Sequence, residues 1–148
     1  MSAGSEVSPY LDRPVVGRGV AAGDLDDDGR EDLVVVHRDA PVALLRNTTP
    51  GVGHWFALDL RGTKSGRTPV GAKVTCRVGG QTLVRWVTGG TSYLSSSDRR
   101  LIFGLGPART VARLEVRWPS GLIQSWSDPA IDGRFQLEEG GEPVLRRR

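Results

Sequence analysis

The feature that most constrains this chain is a strict alternation of apolar and polar residues, interrupted by glycine. Residues 72–78 alternate in this way, and residues 112–118 repeat the pattern. Side chains two residues apart lie on the same face of a β-strand, so each segment predicts a strand with one buried and one wet face. Gly79-Gly80 directly after the first segment predicts a tight hairpin, because such turns need positive φ angles.

Glycine and proline are too frequent for a fold of long helices, with 20 Gly and 9 Pro among 148 residues. Short β-branched runs at residues 15–20, 33–37 and 42–46 add further candidate strands, and no segment shows a sustained helical period. We therefore predict an all-β protein, with a hairpin unit followed by a small antiparallel β-sandwich or barrel-like domain.

A domain boundary is predicted around residues 47–54, where Asn-Thr-Thr-Pro-Gly is typical of a turn or linker. The first predicted unit is a hairpin at residues 12–48, and the second is a longer β domain at residues 53–140.

The formal charge of +3 conceals two parts of opposite sign. Residues 24–32, called the acidic loop below, hold six of the 17 acidic residues and sum to −5, so the remainder carries +8. The arginines of that remainder are scattered and no nucleic-acid reading motif accompanies them, so nucleic-acid binding is not expected. No apolar run approaches the roughly 20 residues of a membrane-spanning helix.

One cysteine, Cys76, excludes a disulfide framework and any multi-cysteine metal site, and we expect it to be a small buried hydrophobe. Residues 1–10 show no signal peptide. Either the protein is cytoplasmic or the chain is a piece of a longer secreted protein, and its organisation favours the second interpretation.

The acidic loop has the spacing D-x-D-x-D-G-x-x-D, which is typical of calcium-binding loops. Calcium takes six to eight oxygen ligands, and carboxylates at positions 1, 3 and 5 can surround one side of the ion. The glycine at position 6 permits the bend that turns the next carbonyl inward. The expected ligands are the carboxylates of Asp24, Asp26 and Asp28, the backbone carbonyl of Arg30, and Asp32 directly or through water.

An EF-hand would need a glutamate at position 12 followed by a helix, but that position is Val35 within a β run. The remaining alternatives are a magnesium site and a solvated acidic turn without an ion. We expect Ca²⁺ in a structural role. Many extracellular calcium modules bind at only about 10⁻⁴ to 10⁻³ M, which favours a secreted, periplasmic or cell-surface location.

Residues 15–47, with Gly19-Val20-Ala21-Ala22-Gly23-Asp24 and Asp32-Leu33-Val34-Val35, resemble an FG-GAP (VCBS-type) repeat. That resemblance implies a propeller-blade-like calcium hairpin, of the kind found in the integrin-like β-propellers. A propeller needs about four to eight blades, whereas one such motif is present, so upstream blades of a longer chain are an expected partner. The usual Phe-Gly opening is replaced by Val16-Gly17.

Four further blocks lie in order within residues 53–127 and resemble the ASPIC/UnbV domain of the cartilage acidic protein-like family. They are Pro69-Val70-Gly71-Ala72-Lys73-Val74, Gly89-Gly90-Thr91-Ser92-Tyr93-Leu94-Ser95, Phe103-Gly104-Leu105-Gly106 and Trp118-Pro119-Ser120-Gly121. The combination implies a secreted, calcium-binding, β-rich protein of adhesion or matrix type.

No set of residues predicts catalysis. His37 and His54 lie in different units, and the hydroxyls and carboxylate of Ser95-Ser96-Ser97-Asp98 have no histidine near them in sequence. The four tryptophans, Trp55, Trp86, Trp118 and Trp126, are either core residues or a platform for a glycan. We expect a non-enzymatic calcium-binding module that contacts another protein or a carbohydrate. The alternative is a calcium-dependent enzyme or accessory protein of natural-product biosynthesis.

Overall fold

A computed structural model describes residues 9–51, 53–90 and 92–146. These residues form one short 3₁₀ helix, Pro9–Asp12, and eleven strands. The strands are β1 (Gly17–Gly23), β2 (Asp32–His37), β3 (Ala43–Leu45), β4 (His54–Arg61), β5 (Lys73–Val78), β6 (Gln81–Trp86), β7 (Leu101–Gly106), β8 (Arg113–Arg117), β9 (Ile123–Trp126), β10 (Gly133–Glu138) and β11 (Val144–Leu145). The all-β prediction is confirmed.

The strands form three open sheets. One, the hairpin sheet, has the order β1-β2-β3, and the others have the orders β11-β10-β4-β7 and β6-β5-β8-β9. All described pairings are antiparallel except that of β10 with β4, which is parallel. The sequence left a sandwich and a barrel open, and no barrel closes within the described residues, so the sandwich prediction is confirmed.

The two four-stranded sheets, called the sandwich, share a single apolar core. The alternation predicted for β5 and β8 is present, with Val74, Cys76 and Leu114 buried and Arg77 and Arg113 exposed. Phe56 and Phe103 stack across β4 and β7 with ring centroids 4.9 Å apart. Burial raises the pKa of the Cys76 thiol to about 11, which agrees with a packing role for this residue.

Two turns connect strands of the sandwich, and the first of them is the one that the sequence predicts. Gly79 and Gly80 have φ angles of 53° and 76° and connect β5 to β6. Trp118 donates its backbone N–H to the Leu122 carbonyl (2.9 Å), and Gly121 between them has a φ of 92°. These turns set the register in which each strand buries one face.

The hairpin sheet lies within the first predicted unit, residues 12–48. Most of the sandwich falls within residues 53–140, although β11 lies beyond that range. The division into two domains stays a prediction. No helix among the described residues is long and apolar enough to cross a bilayer.

Candidate metal centre

The acidic loop connects β1 to β2, and backbone hydrogen bonds to two buried carboxylates shape it. Asp24 accepts the N–H groups of Asp28 and Gly29, each at 3.0 Å. Asp32 accepts the N–H groups of Leu25 (3.1 Å) and Asn47 (2.8 Å). Gly29 has the positive φ angle, 85°, that the predicted bend requires. The loop therefore wraps around its own first and last carboxylates.

Three of the predicted ligands come together at the centre of this loop. Asp24, Asp26 and Asp28 can each offer one carboxylate oxygen within 4.8 Å of the other two. Two oxygens bound to the same calcium ion at about 2.4 Å cannot lie more than about 4.8 Å apart, so the spacing fits a calcium site. Asp32 is not part of this cluster, and its oxygens hold the loop closed instead.

The surroundings of the Asp26 carboxylate also favour a bound cation. Both of its carboxylate oxygens are buried and have no hydrogen bond of normal geometry within the described residues. Arg46 forms an ion pair with one of these oxygens, but its side chain is 63% exposed. Burying a carboxylate without hydrogen bonds is costly, and a cation bound at these oxygens would remove that cost.

Arginines balance part of the loop's charge. Arg30 forms an ion pair with Asp28 and donates from Nε to the Asn47 carbonyl at 2.8 Å. A cation at the cluster has to displace the Arg30 and Arg46 guanidinium groups from Asp28 and Asp26. Arg46 is 63% exposed, and an exposed ion pair is worth only about 0–1 kcal/mol, so displacing Arg46 costs little.

Asp27 at the tip of the loop attaches the hairpin sheet to the sandwich. Its carboxylate binds Arg100 (2.8 Å) and Arg134, which lies on β10. Burial acts to raise the pKa of Asp27, but the two guanidinium groups outweigh it and hold that pKa below its ordinary value. Arg100 also donates to the Asp24 backbone carbonyl at 2.6 Å. The sequence assigned Asp27 no role because its partners are more than 70 residues away.

Trp55 makes the second attachment. Its indole packs so closely against Gly29 that a Cβ at that position would overlap the ring. The glycine of the calcium-type motif is therefore required both for its φ angle and for contact with β4.

Residues 95–98 complete the attachment along the free edge of β1. Ser95 Oγ donates to the Val20 carbonyl (2.9 Å), and the Ala22 N–H donates to Ser97 Oγ (3.1 Å). The Asp98 N–H donates to the Ala22 carbonyl at 2.8 Å. The serines that raised the question of a nucleophile thus hold the edge of a strand.

The two histidines lie apart from the carboxylate cluster. His37 is buried, with Nδ1 2.7 Å from the Pro41 carbonyl and Nε2 2.6 Å from the Tyr10 hydroxyl. His54 Nδ1 lies 2.8 Å from Asp132 Oδ2 on the surface of the sandwich. These hydrogen bonds agree with structural roles.

A second buried carboxylate, Glu139, organises the far end of the sandwich. Burial acts to raise its pKa, but hydrogen bonds from the Ser120 hydroxyl and from residues 63–65 lower it to about 2. One oxygen accepts three successive backbone N–H groups at 2.7–2.9 Å, those of Thr63, Lys64 and Ser65. The Trp-Pro-Ser-Gly block identified in the sequence supplies one of the two hydroxyls, and Ser65 supplies the other at 3.0 Å.

Comparison with known proteins gives a family and a set of relatives. The profile of the family described as "ASPIC and UnbV" matches residues 62–144. Cartilage acidic protein 1 of Xenopus tropicalis is 34% identical over 113 residues, which are 72% of this chain and 17% of that protein. The Mus musculus protein of the same name is 32% identical over 128 residues, which are 82% of this chain and 19% of that protein.

The Homo sapiens protein of this name is 31% identical over 115 residues, or 74% of this chain. The match therefore spans less than a fifth of the length of each of these relatives. Each of these matches is longer than the segment at residues 62–144, so each includes residues of this chain outside that segment.

Proposed function

The chain belongs to the ASPIC and UnbV family, and on this premise we propose that it is a calcium-stabilised β module of an extracellular, matrix-type protein. In this proposal the module contacts another protein or a carbohydrate and catalyses no reaction. The observation that carries the proposal is the convergence of Asp24, Asp26 and Asp28, together with the buried oxygens of Asp26, which accept no hydrogen bond of normal geometry from the described residues.

In the proposed site, the carboxylates of Asp24, Asp26 and Asp28 and the carbonyl of Arg30 hold Ca²⁺. Asp32 supports them by fixing the Leu25 end of the loop. The ion neutralises part of the −5 charge of residues 24–32 and orders the turn that presents Asp27 and Gly29 to the sandwich. Its role is structural, as in the FG-GAP hairpin that residues 15–47 resemble.

The extracellular setting has two supports. Calcium loops of extracellular modules often bind at only about 10⁻⁴ to 10⁻³ M, and such a site fills outside the cell. The name of the relatives also refers to cartilage.

A partner surface is available on one face of the hairpin sheet. Val34 and Leu44 are cross-strand neighbours, and Val36 lies on the same face of β2. Leu44 is 64% exposed and Val36 is 50% exposed. Since the match covers less than a fifth of the relatives, we propose that upstream propeller blades or another protein cover this face.

Calcium binding is tested by isothermal titration of CaCl₂ into chelator-treated protein, with thermal melting in parallel. Asp26→Asn is the sharpest variant because the Asp26 oxygens hold no loop hydrogen bonds, unlike those of Asp24 and Asp32. Asp39→Asn is the matched control, since Asp39 is an exposed acid paired with Arg38 outside the acidic loop.

We expect calcium to raise the melting temperature of the wild type and of Asp39→Asn, and Asp26→Asn to weaken binding at least tenfold. MgCl₂ serves as the comparison ion and should bind more weakly, because magnesium gives up its waters reluctantly. Absence of both heat and a melting shift at about 5 mM calcium, above the usual range for extracellular modules, would refute the site.

A further inference from the structure

A groove of about 900 Å³ lies between the hairpin sheet and the sandwich. On one side it is lined by the β1–β2 region, including Ala22, Gly29 and Leu33, and on the other by residues of β4, β6 and β7. The attachments through Asp27, Trp55 and residues 95–98 hold these two walls in place. The groove is thus a product of the docked arrangement rather than of either part alone.

The sandwich wall presents two arginines without acidic partners. Within the described residues, Arg85 donates only to the Val84 carbonyl (3.3 Å) and lies 5.9 Å from the centre of the Phe103 ring. Arg99 donates to Thr68 Oγ1 at 3.2 Å. Both are exposed, and neither forms an ion pair with a described carboxylate. Other arginines of this wall are engaged, as Arg100 is with Asp27 and Asp98.

Two tryptophans line the same groove. Trp86 is 54% exposed at the end of β6, next to Arg85. Trp55 packs one part of its ring on Gly29 and is half-buried. By contrast, Trp118 is buried in the core, where its indole N–H donates to Gln124 Oε1 at 2.8 Å. Of the four tryptophans considered from the sequence, Trp55 and Trp86 are the pair that faces this space.

We propose that this groove binds an acidic saccharide that contains uronic acid. Guanidinium groups pair bidentately with carboxylates, and neither Arg85 nor Arg99 has an acidic partner among the described residues. The apolar faces of pyranose rings stack on indole rings. Trp86 is 54% exposed and offers such a surface, and Lys73 Nζ, 5.5 Å from the centroid of its ring, adds a positive charge beside it. The inference rests on the interaction role proposed above, for which it names one class of ligand.

The groove favours this ligand over other polyanions. Glu31 and Asp98 lie among its lining residues and interrupt the positive surface, which disfavours a strand with a phosphate at every nucleotide. An acidic peptide could pair with the arginines but has no rigid ring to cover Trp86. An alternation of charged groups and apolar ring faces suits a uronic acid saccharide.

The test uses a hyaluronan tetrasaccharide and the full chain, with binding followed by tryptophan fluorescence and by titration calorimetry. The carboxyl-reduced tetrasaccharide is the uncharged comparison ligand. Tetraglutamate and a thymidine tetranucleotide represent the other polyanions. Each titration is performed with calcium and with chelator, so that failure of the groove proposal is distinguished from failure of the calcium proposal.

We expect the acidic tetrasaccharide to bind and its reduced form to bind at least tenfold more weakly. Arg85→Gln and Arg99→Gln should each lower the affinity about ten- to a hundredfold, the usual range for one charge-assisted hydrogen bond. Arg77→Gln should have no effect, because Arg77 is an exposed arginine at the opposite end of the β5–β6 hairpin. Trp86→Ala should weaken binding while the melting temperature stays near that of the wild type.

Failure of the acidic tetrasaccharide to bind under both conditions would overturn the proposal, even if calcium binds. Equal binding of the reduced sugar would refute the role of the arginines. Tighter binding of tetraglutamate or of the tetranucleotide would show that the groove serves a peptide or a nucleic acid instead. Binding of the sugar without any calcium heat would support the groove while refuting the metal site.

Discussion

The hairpin sheet is antiparallel and the sandwich is antiparallel apart from the β10–β4 pair, but different forces hold the two parts. Every buried hydrophobic side chain among the described residues lies between Phe56 and Leu137, in the sandwich. In the hairpin sheet and the acidic loop, the buried side chains are polar, namely Asp24, Asp32 and His37. The sandwich is therefore stabilised by apolar burial, whereas the hairpin sheet depends on hydrogen bonds, ion pairs and its attachment to the sandwich.

This difference shows how the hairpin sheet can be ordered without an apolar core of its own. A three-stranded sheet of this size buries too little apolar surface to be stable alone. Its loop compensates through directional contacts, with Asp27 bound to two arginines and Gly29 packed against Trp55. In the proposed function, calcium adds to these contacts at the point where the loop meets the sandwich.

The largest expected effect is the loss of a core aromatic from the sandwich. Phe103 is fully buried and stacked on Phe56, so Phe103→Ala should lower the free energy of unfolding by about 3–5 kcal/mol. Val36→Ala in the hairpin sheet should cost less than about 1 kcal/mol, because Val36 is half exposed. Urea denaturation of both variants measures this difference. Similar losses in the free energy of unfolding would contradict the conclusion that apolar burial stabilises the sandwich but not the hairpin sheet.

A smaller effect is expected where the two parts touch. Gly29→Ala should destabilise the docked hairpin by about 2–3 kcal/mol, through a strained positive φ and overlap with Trp55. Gly121→Ala is the matched control, since its φ of 92° is close to the 85° of Gly29 but no atom lies within 4 Å of the added Cβ. It should cost only the backbone penalty, about 1–2 kcal/mol.

Hydrogen exchange locates the effect of Gly29→Ala. The amides of β1 and β2 should exchange faster, while those of β5 and β8 should keep their protection. If the two glycine variants behaved alike throughout the chain, contact with Trp55 would not contribute to holding the hairpin sheet.

The smallest expected effect concerns Glu139, the buried carboxylate of the sandwich. Glu139 accepts hydrogen bonds from three amides and two hydroxyls, so Glu139→Gln should cost about 1–2 kcal/mol at neutral pH. The side-chain NH₂ of the glutamine can face the two hydroxyls while its oxygen accepts the backbone N–H groups, which limits the loss of stability.

The pH dependence gives a separate measurement on Glu139. Its pKa is lowered from an ordinary value of 4.5 to about 2 in the fold, so the stabilisation is complete above pH 4.5 and is lost as the pH falls towards 2. Melting temperatures between pH 6 and pH 2 should fall less steeply for Glu139→Gln than for the wild type. Parallel curves would mean that the ionised form of Glu139 does not stabilise the sandwich.

Local features were predictable because neighbouring residues decide them. The alternation at residues 72–78 identified β5 and its buried face, and Gly79-Gly80 identified the following turn. The spacing of the acidic loop brought Asp24, Asp26 and Asp28 together, since the residues of one tight turn lie close in any conformation that forms it. The place of Asp32 as a further ligand stays a prediction, and the sequence did not indicate its hydrogen bond from Asn47, 15 residues away.

The features that escaped prediction join distant parts of the chain. Nothing in the sequence around Gly133 indicates that β10 lies parallel to β4, because the two strands are separated by more than 70 residues. The same holds for Ser95 and Ser97, whose hydroxyls bond to β1, and for Glu139, whose amide donors come from residues 63–65. A hydrogen bond between residues so far apart leaves no periodic pattern in the sequence around either of them.

The sequence by itself determined an all-β chain, a loop with carboxylates in calcium-type spacing, and membership of a recognisable family. These depend on side-chain periodicity, glycine conformation and short-range spacing, which are local properties of the chain. Only the tertiary structure decided that Asp27 joins the loop to Arg100 and Arg134, and that Arg85, Arg99 and Trp86 line one groove. Those juxtapositions arise from the way two sheets and a hairpin pack, which is set by burial over the whole molecule.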